Sequence, residues 1–111
     1  MTEEIKQFIA YVSDIKKMSK NTEVSYQRDL LQMAEYLGEQ GIGQVEKVTE
    51  TSLNSYILYL EKKGKAAATI SREIASMKAF FRYLFREGRI QEDPSENLKA
   101  PRIERKLPDI L

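Results

Sequence analysis

Apolar residues recur along this chain at intervals of three and four, the spacing that places side chains on one face of an α-helix. Four such stripes follow one another. Ile5, Phe8, Ile9, Val12 and Ile15 form the first, with Thr2 as its cap, Glu3 and Glu4 at its positive end, and an expected stop near Met18. Ser19 to Thr22 is rich in capping side chains, and Tyr26, Leu30, Met33 and Leu37 then make a second stripe that stops at Gly38 and Gly41. After a loop from Gly41 to Val48, Thr49 caps a third helix carrying Leu53, Tyr56, Ile57 and Leu60, closed by Gly64. Thr69 opens the fourth and longest, with Ile70, Ile74, Met77, Phe81 and Leu84 in line, Phe80 and Phe85 flanking them, and an end near Gly88. No segment of useful length alternates with period two, and no proline precedes residue 94. The predicted fold is therefore all-α, four main helices packed as two hairpins.

Asp93-Pro94-Ser95-Glu96 sets a capping acid before a proline at the first helical position, which predicts a short fifth helical turn through Leu98. Pro101 and Pro108 bracket a charged tail with few apolar residues. Residues 1–99 are thus read as one domain, and 100–111 as a linker toward a further domain.

The polar side of the fourth helix adds a second signal. Arg72, Ala75, Ser76, Ala79, Arg82, Tyr83 and Arg86 share it, so small residues alternate with arginines and the surface stays low. Such a helix, about 27 Å long, can lie close inside a DNA major groove. Lys62 to Arg86 holds seven basic residues against Glu73 alone, whereas residues 1–50 carry nine acids and six bases. The net charge of +1 for the whole chain hides this asymmetry.

Lys20, Asn21 and Thr22 bring backbone N–H groups and a positive dipole end together at the start of the second helix, with Ser25, Arg28 and Gln32 beyond them. Asn21 and Thr22 are equally ordinary capping residues, and Glu35 on the same side confines any approach to the first two turns. Lys65 and Thr69 lie at the start of the fourth helix. Lys99, Arg102 and Arg105, with Lys106, give the tail a basic run suited to phosphates. Asp29 would be unfavourable facing phosphate and is read as a structural partner of another group. Val24, Leu31 and Tyr11 fall off the core stripes, so a helical protein-interaction module that binds no DNA is the rival reading.

The chain contains no cysteine and no histidine. Their absence removes disulfides, thiolate zinc sites, a cysteine nucleophile and most nucleophilic triads, so neither a metal nor a cofactor is expected. No apolar run approaches the eighteen or so residues of a membrane span, and the first residues are acidic and amphipathic. A soluble, cytoplasmic protein is expected.

The ordered set Asn21-Thr22, Tyr26, Asp29-Leu30, Thr69-Ile70, Arg72, Phe81, Tyr83-Leu84, Asp93-Pro94, Leu98, Pro101 and Leu107-Pro108 resembles the N-terminal core-binding (SAM-like) domain of bacterial tyrosine recombinases and phage integrases, nearest the Xer type. The resemblance covers essentially the whole chain. It implies half of a C-shaped clamp around double-stranded DNA, with the second and fourth helices crossing the major groove and the linker beside the backbone. It also implies a parent enzyme that assembles as a tetramer on two DNA sites and cleaves through a 3′-phosphotyrosyl link made by a separate catalytic domain. Nothing of that domain's motif occurs here, so the chain alone is not expected to be an enzyme. Chromosome dimer resolution, and with it a role in chromosome partition, is the expected setting; the same domain of a phage or mobile-element integrase is the alternative.

Overall fold

Four α-helices make up most of the computed structural model, which describes residues 1–99. They are α1 (Thr2–Asp14), α2 (Lys20–Glu39), α3 (Glu50–Lys62) and α4 (Ala67–Arg86), with one 3₁₀ turn at Val45–Lys47 between α2 and α3. No strand occurs among the described residues, as the missing period-two pattern predicts.

Caps explain most of the boundaries. Ser19 stands before α2 in extended backbone and its hydroxyl accepts from the Thr22 N–H at 3.2 Å. Thr49 does the same for α3, accepting from Ser52 N–H while Ser52 Oγ accepts from Thr49 N–H, a reciprocal capping box. At the far ends, Gly64 and Gly88 sit at φ +84 and +75, a left-handed conformation that carries no Cβ penalty in glycine. That turn lets Lys65 N–H reach Leu60 O at 3.1 Å and Arg89 N–H reach Leu84 O at 2.9 Å, satisfying carbonyls the helix leaves open.

Several expected boundaries are corrected. Thr2 is the first helical residue, not the cap. The first helix stops at Asp14, short of Met18, because the chain turns at Lys17, whose φ is 52. The fourth begins two residues before Thr69, at Ala67, with Ala66 as a cap that offers no side-chain hydrogen bond. Phe85, expected beside the core stripe, is 47% exposed. The short fifth turn expected through Leu98 is present as overlapping turns from Asp93 to Leu98: Asp93 Oδ1 accepts from Ser95 N–H and hydroxyl, and Leu98 N–H donates to Ser95 O. The expected loop before α3 is itself part of the core, since Val45 and Val48 are buried. The linker expected at 100–111 lies outside the described residues.

The two 20-residue helices, α2 and α4, form the centre. Both α1 and α3 pack against each of them, and α1 and α3 do not meet. Leu30, Met33 and Leu37 of α2 and Ile70, Ile74, Met77, Phe80, Phe81 and Leu84 of α4 are buried together, with Ile5, Phe8 and Val12 from one side and Leu53, Tyr56, Ile57 and Leu60 from the other. Sequential helices therefore still make two hairpins. The contact between the hairpins fixes how the outer faces of α2 and α4 stand side by side.

Candidate nucleic-acid interface

Between α2 and α4 the packing turns polar. Asp29, 1% exposed, receives Arg72 through two bonds, Nε to Oδ2 at 3.1 Å and Nη2 to Oδ1 at 2.9 Å. The Ser76 hydroxyl lies 3.1 Å from the same Oδ2 and 3.2 Å from the Arg72 carbonyl. Ser76 is fully buried. The expectation that it belongs to the open face is thereby corrected, because a side chain this small fits where α4 closes on α2. Asp29 has the structural partner expected of it, and that partner is Arg72, one of the arginines assigned to the open face.

Next to Arg72 on α4, buried Glu73 accepts a 2.6 Å bond from the Tyr56 hydroxyl of α3. Burial pushes the Glu73 carboxyl above its ordinary range, and the nearby Asp29 charge adds to this, while the Tyr56 bond, Arg72 and Lys65 pull it back. Burial likewise drives the Tyr56 hydroxyl up, with the Glu73 bond adding to it. A carboxyl raised in the folded state stabilises most below its unfolded pKa, and that contribution is lost as pH rises through the folded value. Tyr56→Phe leaves an anionic Glu73 without its donor, at an expected cost of about 1–3 kcal/mol. The cost should be larger at pH 8 than at pH 5, where the carboxyl keeps more of its proton. Urea titrations of both proteins at the two pH values measure it.

Outside this network lies the basic face. Arg82 and Arg86 are exposed, and among the described residues neither forms an ion pair. With Lys16, two residues past the end of α1, and the acidic Glu87 they rim a cleft of about 480 Å³ floored by Phe8, Tyr11, Val12, Met18, Ala79 and Tyr83. Lys16 was not singled out from the sequence; its only signal is a place in the basic turn after α1. Tyr11 packs on Tyr83 with ring centroids 4.8 Å apart, so it is half-buried and does not join Val24 and Leu31 in one exposed apolar patch.

At the helix starts, Lys20, Asn21 and Lys65 are exposed, and Thr22 and Thr69 are half-buried. The Ser19 cap bonds only the Thr22 amide, with a 2.9 Å contact between the two hydroxyls. Ala66 caps nothing with its side chain, so among the described residues no side chain bonds the first amides of α4, which lie beside Lys65. Along α2, Arg28 and Gln32 are exposed and Ser25 is half-buried. Ser25 precedes Asp29 by four residues and Gln32 follows it by three, which puts both on the side of α2 that meets Arg72. Lys99 is exposed; Arg102 and Arg105 lie outside the described residues. Of the residues singled out on the two central helices, Arg28, Gln32, Arg72, Arg82 and Arg86 are exposed and Ser25 and Ala79 half-buried, while Ser76 is withdrawn.

Among the described residues no cluster of three potential metal ligands occurs, and no helix is long and apolar enough to cross a membrane.

Comparison with known proteins identifies the family. Residues 5–88 match the family model described as phage integrase, N-terminal SAM-like domain. A protein of Caldanaerobacter subterraneus named as a tyrosine recombinase is 42% identical over 105 residues, 95% of this chain and 36% of its own length. Tyrosine recombinase XerC of Herpetosiphon aurantiacus is 34% identical over the whole chain, again 36% of its own length. Tyrosine recombinase XerD of Oceanobacillus iheyensis is 35% identical over 96% of this chain and 36% of its own. The chain spans about a third of the length of these relatives. With all-helical architecture and a family match across most of its length, the chain belongs to the phage integrase N-terminal SAM-like domain family, the N-terminal domain of tyrosine recombinases.

Proposed function

We propose that this domain binds double-stranded DNA as one half of a recombinase clamp, holding a recombination half-site for strand cleavage by a separate catalytic domain. The observation that carries this reading is the open face of α4: exposed Arg82 and Arg86, unpaired among the described residues, beside the half-buried Ala79 and the exposed Ala75. Small residues there let a duplex approach, and the two free guanidiniums and Lys16 supply phosphate contacts. The starts of α2 and α4, with Lys20, Asn21, Thr22, Lys65 and Thr69, add amide donors at positive dipole ends. Ser25, Arg28 and Gln32 extend the face along α2, and Lys99, Arg102 and Arg105 would follow the backbone.

Relatives named tyrosine recombinase XerC and XerD support the Xer kind as the first reading; on that reading the parent protein resolves chromosome dimers in the cytoplasm as a tetramer on two sites. The same domain in a phage or mobile-element integrase is the second reading, favoured by the family description itself.

Fluorescence anisotropy of a labelled duplex across a salt series tests the proposal. Wild type should bind with a steep salt dependence, and Arg82→Ala/Arg86→Ala should weaken binding and reduce the slope by about 2, one for each phosphate released. An unchanged slope would refute phosphate contact by these two residues. Ala79→Glu should lower affinity by about tenfold or more, because it sets bulk and negative charge between the arginines. Its far-UV circular dichroism melt should stay near wild type. Equal affinity in that variant would take α4 out of the groove.

A further inference from the structure

Arg72 differs from Arg82 and Arg86 in a way that phosphate binding does not require. Its guanidinium is held side-on: Nε and Nη2 both face Asp29, and Nη1 makes no hydrogen bond to a described residue. The side chain remains 44% exposed while Asp29 is 1% exposed. Asp29 is held in turn by Ser76. The carboxylate is therefore withdrawn from any phosphate, and the end-on edge of the fork, Nη1 with the outer N–H of Nη2, is the part presented outward.

A phosphate contact gains from net positive charge and tolerates many orientations, so a lysine or a free arginine serves it. Pairing with Asp29 largely cancels the charge of Arg72 and fixes its direction. An end-on fork of fixed direction suits an acceptor pair in a plane, and in the major groove that pair is N7 and O6 of guanine. The surroundings permit the approach. Ala68 and Ala75, one turn to either side of Arg72 on α4, are exposed small residues that keep the helix surface low around the fork.

We propose that Arg72 reads a guanine in the major groove, and that Asp29, held by Ser76, is the positioning residue that aims it. This rests on the DNA-binding reading above.

The test recovers preferred sites from a pool of randomised duplexes with the 111-residue chain, then measures binding of each variant to the recovered site. Wild type should enrich a guanine at one position. Replacing that G·C by A·T, or its guanine by 7-deazaguanine, should weaken wild-type binding on the order of ten- to a hundredfold, the range of one bidentate base contact. Arg72→Lys keeps a cation for Asp29 and so keeps the fold; its one ammonium, held by the carboxylate, no longer presents a fork, so it should discriminate clearly less between these duplexes than wild type. Asp29→Asn should bind duplex overall at least as tightly as wild type yet lose most of the guanine preference, and Ser76→Ala, the milder change, should lose part of it. A role confined to holding α2 on α4 would not move base preference in variants that melt as wild type.

Two results would overturn the inference while leaving DNA binding in place. One is a guanine preference in Arg72→Lys undiminished from wild type. The other is a uniform loss of affinity across sequences in Arg72→Gln, with a salt slope lower by about 1, which marks a phosphate contact. Failure of wild type to bind any duplex at low salt would overturn the DNA-binding reading, and this inference with it.

Discussion

Phe8→Ala is expected to destabilise the domain by about 3–5 kcal/mol, the cost of emptying a well-packed aromatic site. Phe8 is 1% exposed. Its ring lies 6.0 Å from Tyr26 of α2 in a stacked arrangement, 5.6 Å edge-on from Phe80 of α4 and 5.5 Å from Tyr83. One side chain thus fastens α1 to both central helices. A domain of this size has a total stability of about 5–15 kcal/mol, so the loss is a large fraction of it. Urea unfolding followed by circular dichroism should show a much lower midpoint with an unchanged slope. Phe85→Ala, at a site 47% exposed, should move the midpoint little. A cost below about 1 kcal/mol for Phe8→Ala would mean that α1 is not anchored through this ring. The consequence reaches the binding face, because Phe8 floors the cleft that Lys16, Arg82 and Arg86 rim.

Periodicity made the helices legible, and it did so because burial in a small helical domain follows one stripe per helix. Every member of the α3 stripe is buried, as are Ile70, Ile74, Met77, Phe81 and Leu84 of α4. What periodicity does not carry is the partner. Asp29 and Arg72 are 43 residues apart, Asp29 and Ser76 47, Tyr56 and Glu73 17. A helical wheel therefore placed Ser76 on the open side and left Glu73 as a lone acid in a basic segment. In the folded chain, α4 is covered over a wider arc than its apolar stripe, with the added arc lined by Glu73 and Ser76 where α2 and α3 press against it. A small hydroxyl can be buried at no steric cost, and a glutamate can be buried when a tyrosine donates to it; neither shows in a hydropathy pattern. The start of α4 was misplaced for the opposite reason, since Ala66 offers no capping side chain. Arg82 and Arg86 were legible because neither is drawn into an ion pair among the described residues. Arg72 carried the same sequence signal and holds a different position.

Arg72→Ala is expected to cost about 3 kcal/mol at neutral pH, far more than the loss of an arginine from an open helix face. Removing one member of a buried pair leaves the other desolvated and uncompensated, a change worth about 3–5 kcal/mol when both are buried. Here Asp29 is buried and Arg72 is 44% exposed, so water reaches part of the vacated space and the lower end of that range applies. The Ser76 hydroxyl at 3.1 Å remains as a neutral donor to Asp29, which softens the loss without replacing the charge. Asp29→Asn/Arg72→Gln, which replaces both charges with amides, should be less destabilised than Arg72→Ala alone. Urea titrations of the single and paired variants, combined as a double-mutant cycle, measure the coupling directly. A cost below about 1 kcal/mol for Arg72→Ala would show that Asp29 does not need its arginine and that the two central helices are held by their apolar contact alone. A cost near 3 kcal/mol has a further consequence for DNA-binding measurements. Alanine at Arg72 then reports a weakened fold together with any lost contact, whereas lysine keeps the cation beside Asp29 and separates the two.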